Sequence, residues 1–243
     1  MQLSTPAIIC AVLPHGEAGA VVRALTPGHG LMAGYVRGGR SRRLRPVLIV
    51  GNTVDADFRA RLDEQLAALT VELIRSRAHL ATDALAATAL AWLGALVATA
   101  LPEAQPFPAV HPRLEALLES IAVASPVVWA ADLVRFELHL LADLGFGLDL
   151  ARCAATGQTH DLAWVSPKSR SAVNRASGAP YAARLLPLPA FLIAGTSPDW
   201  EQIAQALRLT GHFLTHDVLE GRDARILPAR ARLEELVERR AHH

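Results

Sequence analysis

The sequence predicts an α+β protein in which a small β-barrel is followed by a helical domain. About five short runs rich in Val, Ile, Leu and Thr, separated by turns that contain Gly or Pro, occur before residue 78. Beyond residue 78 the apolar residues form longer helical segments, with capping residues and prolines near their ends. Because many short strands in a short stretch are typical of a closed sheet, we expect residues 1–77 to form a barrel and residues 78–243 a helical domain.

Within the first domain, the run 65–76 is compatible with either a strand or a helix. The segment GHGLMAG (28–34) nearly imitates a dinucleotide-binding fingerprint, but a strand follows it instead of a helix. A tight turn between two strands is therefore favoured there. The predicted strands cover residues 7–13, 19–26, 31–38, 47–50 and 53–58.

The helical domain is predicted from start and stop signals. Pro112 opens one helix, and another has Ser125 as N-cap, Pro126 in its first turn and Gly145 after its end. A later helix has the same start and stop signals, with Ser197 and Pro198 at its beginning and Gly221 after its end. Residues 146–196 are irregular, with Gly, Pro and Ser punctuation. The predicted helices cover 80–101, 112–123, 126–144, 198–220 and 229–240.

The uncharged segment 84–102 raises the question of a membrane span, because it is about as long as a bilayer is thick. It is mostly alanine and threonine, and acidic residues flank it, so a buried helix is favoured. A membrane-associated helical protein stays the less favoured alternative. We expect no signal peptide, because no positive region precedes the first apolar run. A cytoplasmic location is expected.

Composition supports a folded core, since 51% of the 243 residues are apolar. The net charge of +1 is too small to indicate a class of binding partner, but the charged residues are unevenly distributed along the chain. Residues 1–77 hold 10 basic and 6 acidic side chains, a balance of +4, and residues 78–243 hold 14 and 17, a balance of −3. Apart from Lys168, every basic side chain is arginine. Two cysteines, Cys10 and Cys153, exclude a disulfide framework and a cysteine-based zinc finger.

The segment YVRGGRSRRLRPVL (35–48) carries the strongest functional signal. Its arginines have no acidic residue among them, and they are more numerous than solubility alone requires. Arginine binds phosphate through its planar fork, and Tyr35 offers a face on which a base can stack. A solvated hairpin tip is the alternative. The five residues, called the arginine loop below, are Arg37, Arg40, Arg42, Arg43 and Arg45.

Other clusters give weaker signals. His212 and His216 stand four residues apart beside Asp217, a spacing that metals use, but no third ligand is evident and solvated helix positions are favoured. Asp132, Arg135, His139 and Asp143 form one helical stripe, which is typical of a solvent face. Nothing local argues for an enzyme. A small-molecule enzyme or ligand-binding protein, with a pocket in the helical domain, stays the competing interpretation.

The order of features resembles the RecO family of recombination mediators. In residues 11–48 a strand ending in Val-Leu leads to a Gly-Glu turn, a strand ending in Leu-Thr, and a strand that runs into Gly and a basic loop. The segment RFELHLLADLGFGLDLARCAATG (135–157) resembles the family's Leu-Gly-Phe segment. SPKSRSAV (166–173) and LLPLPAFL (185–192) look like its alphaproteobacterial branch. The matching positions at the N-terminus are Val12-Leu13, Gly16-Glu17, Leu25-Thr26, Gly30 and Gly38.

The resemblance implies an OB-fold barrel and no catalytic residues or cofactor. It implies a protein that binds single- and double-stranded DNA, anneals complementary strands, and acts with RecR and the C-terminal tail of single-stranded DNA-binding protein to load RecA. Such a protein is expected in the cytoplasm, with the nucleoid. Some members hold zinc through four cysteines, but only Cys153 remains here, so we expect no zinc.

These implications assign roles to particular residues. The arginine loop would neutralise phosphates with Tyr35 beside it, and Arg23 is a weaker candidate. Arg135 is the candidate for contact with the acidic tail of the partner.

Overall fold

A computed structural model describes residues 2–62, 65–221 and 224–242, so His243 lies outside the described residues. The chain forms two compact units, Met1–Ala122 and Val123–His243. The first unit contains a barrel and two helices, and the second contains helices and a small sheet. The division into a barrel domain at residues 1–77 and a helical domain at residues 78–243 stays a prediction.

Five strands of the first unit close into a barrel in the order β1-β2-β3-β5-β4, as expected for an OB-like fold. All neighbours are antiparallel except β3 and β5, which pair in parallel through Gly34 opposite Ala67 and Tyr35 opposite Ala68. Alternate residues of each strand point inward and form the core, as the period of two requires. The strands are β1 (Gln2–His15), β2 (Gly19–Thr26), β3 (Gly30–Val36), β4 (Thr53–Arg59) and β5 (Ala67–Arg75).

Two segments differ from, or resolve, the strand pattern predicted from the sequence. The predicted strand at 47–50 is wrong: these residues lie in turns, and the Leu48 N–H donates to the Leu44 carbonyl as in a helix. Their apolar character comes from burial of Leu48 against the barrel core and not from an extended backbone. The ambiguous run 65–76 contains β5. The segment 28–34 holds the turn between β2 and β3, as favoured over a nucleotide site, with Gly30 at a φ of +70°.

Helix α1 (Ala84–Ala100) and helix α2 (Val110–Val123) follow the barrel, after a 3₁₀ turn at Ala78–Thr82. Asp83 caps α1 by accepting a hydrogen bond from the Ala86 N–H at 2.7 Å. Most side chains of α1 are buried, which confirms the interpretation of segment 84–102 as a buried helix. In the part of the chain that the structure describes, no helix has the length and apolar character needed to cross a membrane.

The second unit is built on three long helices, α3 (Pro126–Asp143), α6 (Trp200–Phe213) and α7 (Leu227–Ala241). Ser125 and Pro126 occupy the predicted N-cap and first-turn positions of α3. The predicted start of α6 at Ser197 and Pro198 is wrong, because Asp199 caps this helix by accepting from the Gln202 N–H at 2.8 Å. After Phe213, α6 runs into a π-helical turn, Leu214–Val218.

The stretch 146–196, predicted to be irregular, contains a small sheet of three strands in the order β7-β6-β8. Its strands are two to four residues long, too short for the alternating pattern to reveal them in the sequence. The elements of this stretch are β6 (Leu162–Val165), β7 (Ala172–Asn174), α4 (Arg175–Gly178), a 3₁₀ turn (Ala179–Arg184), β8 (Leu186–Pro187) and α5 (Phe191–Ala194).

Candidate nucleic-acid interface

The arginine loop leaves the barrel at the end of β3 and is tied at once to the neighbouring turn. Gly39 packs against β2 so closely that a Cβ at this position would lie 2.8 Å from the Ala20 Cβ. The Arg40 N–H donates to the Ala18 carbonyl at 3.0 Å, and the Arg40 guanidinium donates to the Glu17 carbonyl at 3.1 Å. The start of the loop is therefore fixed to the β1–β2 turn.

The middle of the loop forms helical turns and does not hang free in solvent. The Ser41 hydroxyl accepts from the Leu44 N–H at 3.3 Å, and the Ser41 carbonyl accepts from the Arg45 N–H at 3.0 Å. Leu44 and Leu48, which are 9% and 8% exposed, insert into the barrel core. These two anchors, together with the contacts of Gly39 and Arg40, hold the backbone of the loop against the barrel, so its arginines extend from a fixed backbone.

All five arginines of the loop are exposed. None of them forms an ion pair with a carboxylate among residues 2–62, 65–221 and 224–242. This sets them apart from most other arginines of the chain, which pair with Asp or Glu. Five unneutralised guanidinium groups on one anchored turn produce a local positive surface that suits the phosphates of a nucleic acid.

Tyr35 stands at the base of this surface. Its ring is half-buried and lies across Gly19, where a Cβ would come within 2.3 Å of the Tyr35 hydroxyl. The exposed ring of His15 meets Tyr35 edge to face, with 5.7 Å between centroids. Sequence reasoning missed His15, although its place at the end of β1, opposite Gly19 of β2, could have suggested it.

Two apolar neighbours extend the outer face of the barrel beside Tyr35. Val21 is the cross-strand partner of both Leu13 and Tyr35, so the three side chains form one row. Leu13 is 53% exposed. A row of apolar and aromatic side chains beside a cationic loop can contact flat bases while the arginines hold the backbone.

Arg23 lies two residues along β2 from this row and is engaged within the protein. Its guanidinium donates to the Ala98 carbonyl and pairs with Glu103 at 3.0 Å. The side chain is 25% exposed. It stays the weaker candidate, because a phosphate would have to compete with these contacts.

The second unit contains the candidate contact residue Arg135 and the predicted polar stripe, both on α3. Arg135 lies on α3, paired with Asp132 at 3.0 Å, and its guanidinium carbon is 5.5 Å from the centroid of the Phe191 ring. Asp132 and Arg135 are partly exposed, and His139 and Asp143 are exposed, so the predicted polar stripe lies toward solvent.

The histidine pair has a different environment from a metal site. The rings of His212 and His216 stack at 4.4 Å, and Asp217 is held by Arg170 through bonds of 2.9 and 3.0 Å. Burial and the neighbouring His216 lower the pKa of His212. No group of three potential ligands for a metal ion occurs in the described part of the chain.

Cys153 is a buried free cysteine in the segment between α3 and β6. Its sulfur accepts a hydrogen bond from the Asn174 N–H at 3.3 Å. Burial raises the pKa of the Cys153 thiol, but hydrogen bonds from the Thr156 side chain and from nearby backbone N–H groups outweigh it and lower the pKa to about 7. Since Cys10, the second cysteine, lies in β1 of the other unit, the segment has one thiol to offer.

Comparison with known proteins decides the family. The model for the N-terminal domain of recombination protein O matches residues 1–77, and the model for its C-terminal domain matches residues 81–225. This chain belongs to the RecO family. Membership of a family of DNA repair proteins supports a role in DNA repair.

RecO proteins of several bacteria are similar over nearly the whole chain. The DNA repair protein RecO of Afipia carboxidovorans is 48% identical over 236 residues, which cover 95% of this chain and 94% of that protein. The RecO of Rhodospirillum rubrum is 44% identical over 98% of this chain and 97% of its own length. The RecO of Cereibacter sphaeroides is 40% identical over 98% of this chain and 99% of its own length. The family resemblance inferred from the motifs is therefore confirmed.

Proposed function

We propose that this RecO-family chain is a non-enzymatic repair mediator that binds single- and double-stranded DNA through the arginine loop. The observation that carries the proposal is the set of five exposed arginines, unpaired with carboxylates in the described chain and anchored by two buried leucines. Tyr35 and His15 add a stacking surface beside it. Contacts of this kind neutralise phosphates without reading sequence.

We further propose that binding leads to annealing of complementary strands. Two strands repel each other through their phosphates, and a cationic surface that holds both lowers this repulsion. In the cell, the same chain would act in the cytoplasm at the nucleoid. There it would help load RecA with RecR at gaps coated by single-stranded DNA-binding protein.

The acidic, apolar tail of single-stranded DNA-binding protein is the proposed ligand of the helical domain, with Arg135 as its contact. The Arg135 side chain is 42% exposed and lies over the buried Phe191, so a carboxylate can approach the guanidinium. Asp132 competes for the same group, and a tail that binds here must replace that pairing.

The proposal is tested with Arg42→Ala combined with Arg43→Ala. We expect the salt dependence of oligo-dT binding to lose about two phosphate contacts, ~1.4 in the slope of log K against log salt. Fluorescence anisotropy at several salt concentrations measures this slope. Arg232→Ala with Arg239→Ala is the matched control, because it removes two exposed arginines that pair with Glu235 on α7.

An unchanged slope in the Arg42 and Arg43 variant would exclude this loop as the phosphate surface. If the unaltered chain binds no DNA at low salt, the alternative of a small-molecule enzyme or binding protein becomes the better one.

A further inference from the structure

The second unit contains a cavity of about 540 Å³ beside the small sheet. Its floor is apolar, formed by Ala154, Ala155, Pro167, Val173 and Leu185. Lys168, Tyr181 and Arg184 stand around it. We call it the hairpin cavity, because one wall is the turn between β6 and β7. The DNA-binding surface described above lies on the barrel and does not include it.

The wall that carries Lys168 is held firmly. Ser166 and Ser171 close the hairpin through a backbone bond of 3.0 Å, and the Ser166 carbonyl accepts from the Arg170 N–H at 2.9 Å. Arg170 in turn binds Asp217 through two hydrogen bonds and lies over the Phe146 ring at 5.5 Å. The cavity is therefore formed before any ligand arrives, which lowers the entropy lost on binding.

The charge around the cavity is positive. Lys168 and Arg184 are exposed, and neither has an ion-pair partner within the described residues. No acidic side chain is among the described residues that line the cavity. Arg170 is already neutralised by Asp217, so the free charge rests on Lys168 and Arg184.

Tyr181 supplies an aromatic wall. It lies in the 3₁₀ turn Ala179–Arg184 and is 61% exposed, which leaves much of the ring open to a ligand. Ser166, Ser169 and Ser177 also line the cavity and provide hydroxyl groups. A flat apolar face, polar edges and an anion are the three features that such a site recognises, and a nucleotide of single-stranded DNA has all three.

We propose that the hairpin cavity is a second binding site for single-stranded DNA. A base packs against Tyr181 over the apolar floor, while Lys168 and Arg184 bind the flanking phosphates. This inference rests on the proposed function, since it assumes a chain that already binds DNA at the arginine loop. Two sites on one chain would let it hold two strands at once, as annealing requires. An acidic peptide with an apolar side chain is the competing occupant.

The test measures how many short strands one chain binds. With a dT oligonucleotide of about eight nucleotides at low salt, we expect two per chain for the unaltered protein. Lys168→Ala with Arg184→Ala should leave one strand, whose affinity is unchanged because the arginine loop is intact. Tyr181→Ala should weaken the second site by about 5- to 150-fold, since stacking is lost. Arg208→Ala with Arg239→Ala, exposed arginines of α6 and α7, is the matched control.

The outcomes separate the two proposals. One outcome is that the unaltered chain and the cavity variants each bind one strand, and that only the Arg42 and Arg43 variant loses it. This result would overturn the second site and leave the proposed function intact. No strand bound by the unaltered chain would overturn both. Binding of an acidic peptide that depends on Tyr181 and Lys168, without a second DNA strand, would assign the cavity to a protein partner. Crosslinking of 5-iodouracil DNA to a peptide containing Tyr181 would support the second site directly.

Discussion

Arg77 is buried between the end of the barrel and α2, with its side chain 1% exposed. Its guanidinium donates to the Gly51 carbonyl and the Thr53 hydroxyl at 2.7 and 2.8 Å and pairs with Glu115 and Glu119 at 2.8 and 2.6 Å. These bonds satisfy a charge that would otherwise be costly to bury. They also connect the barrel to α2.

Arg77→Ala should lower the free energy of unfolding by about 2–4 kcal/mol. The change removes the donor to the Gly51 carbonyl and the ion pair of Glu115, whereas Glu119 keeps its ion pair with Arg75. The partial exposure of both carboxylates lets water compensate in part. Urea unfolding followed by circular dichroism measures the loss. Arg59→Ala is the control, because its pairing with Asp57 is exposed and worth little. Equal stability of the Arg77 and Arg59 variants would contradict the argument.

At the scale of single residues, sequence reasoning can detect only residues whose signal is local in the chain. The five arginines are close together in the chain, and their exposure could be expected from charge alone. Arg77 has no local signal, because its acidic partners lie 38 and 42 residues away. Burial in the fold, and not composition, decides that this arginine is structural while those of the loop are free to bind.

The arginine loop acts as one element, because its backbone hydrogen bonds and its two buried leucines hold it against the barrel. Gly39 is the position that allows this approach to β2. Sequence reasoning read the apolar residues after the arginines as a strand. In the structure they are the anchors of the loop, and periodicity over four residues cannot separate an anchor from a short strand.

Gly39→Ala should weaken DNA binding while every arginine is retained. The added Cβ meets Ala20, so the loop must shift away from the β1–β2 turn and lose the Arg40 contacts there. We expect a several-fold loss of affinity in anisotropy titrations, since phosphate contacts depend on position. Gly28→Ala is the control, because that site is open space with an ordinary backbone. Unchanged affinity for Gly39→Ala would mean that the loop tolerates displacement.

The molecule as a whole separates charge by region, with +4 in residues 1–77 and −3 in the rest. The fold class followed from the change of periodicity near residue 78, and the family models cover both sides of that point. The hairpin cavity could not be predicted, because its walls come from short elements spread over residues 154–185. Its arrangement depends on packing that no local pattern encodes.

Annealing by the whole protein should weaken with salt in parallel with DNA binding, because both depend on released counterions. We expect the annealing rate of complementary oligonucleotides to fall along the same slope in log salt as the binding constant. Fluorescence-quenching assays at matched concentrations measure the rate, and spontaneous annealing without protein gives the baseline. Annealing that persists at salt concentrations where binding is lost would show that phosphate neutralisation does not drive it.

The barrel closes through only two residue pairs between β3 and β5, and this has a consequence for biosynthesis. During translation β1, β2 and β3 emerge first and can pair as a meander, but β3 keeps an open edge until Ala67 and Ala68 arrive. An open edge on a nascent chain invites pairing with another polypeptide. The arginines follow that edge directly in the sequence, and charged residues beside an edge oppose its pairing with another chain, so we expect them to reduce aggregation of the unfinished barrel.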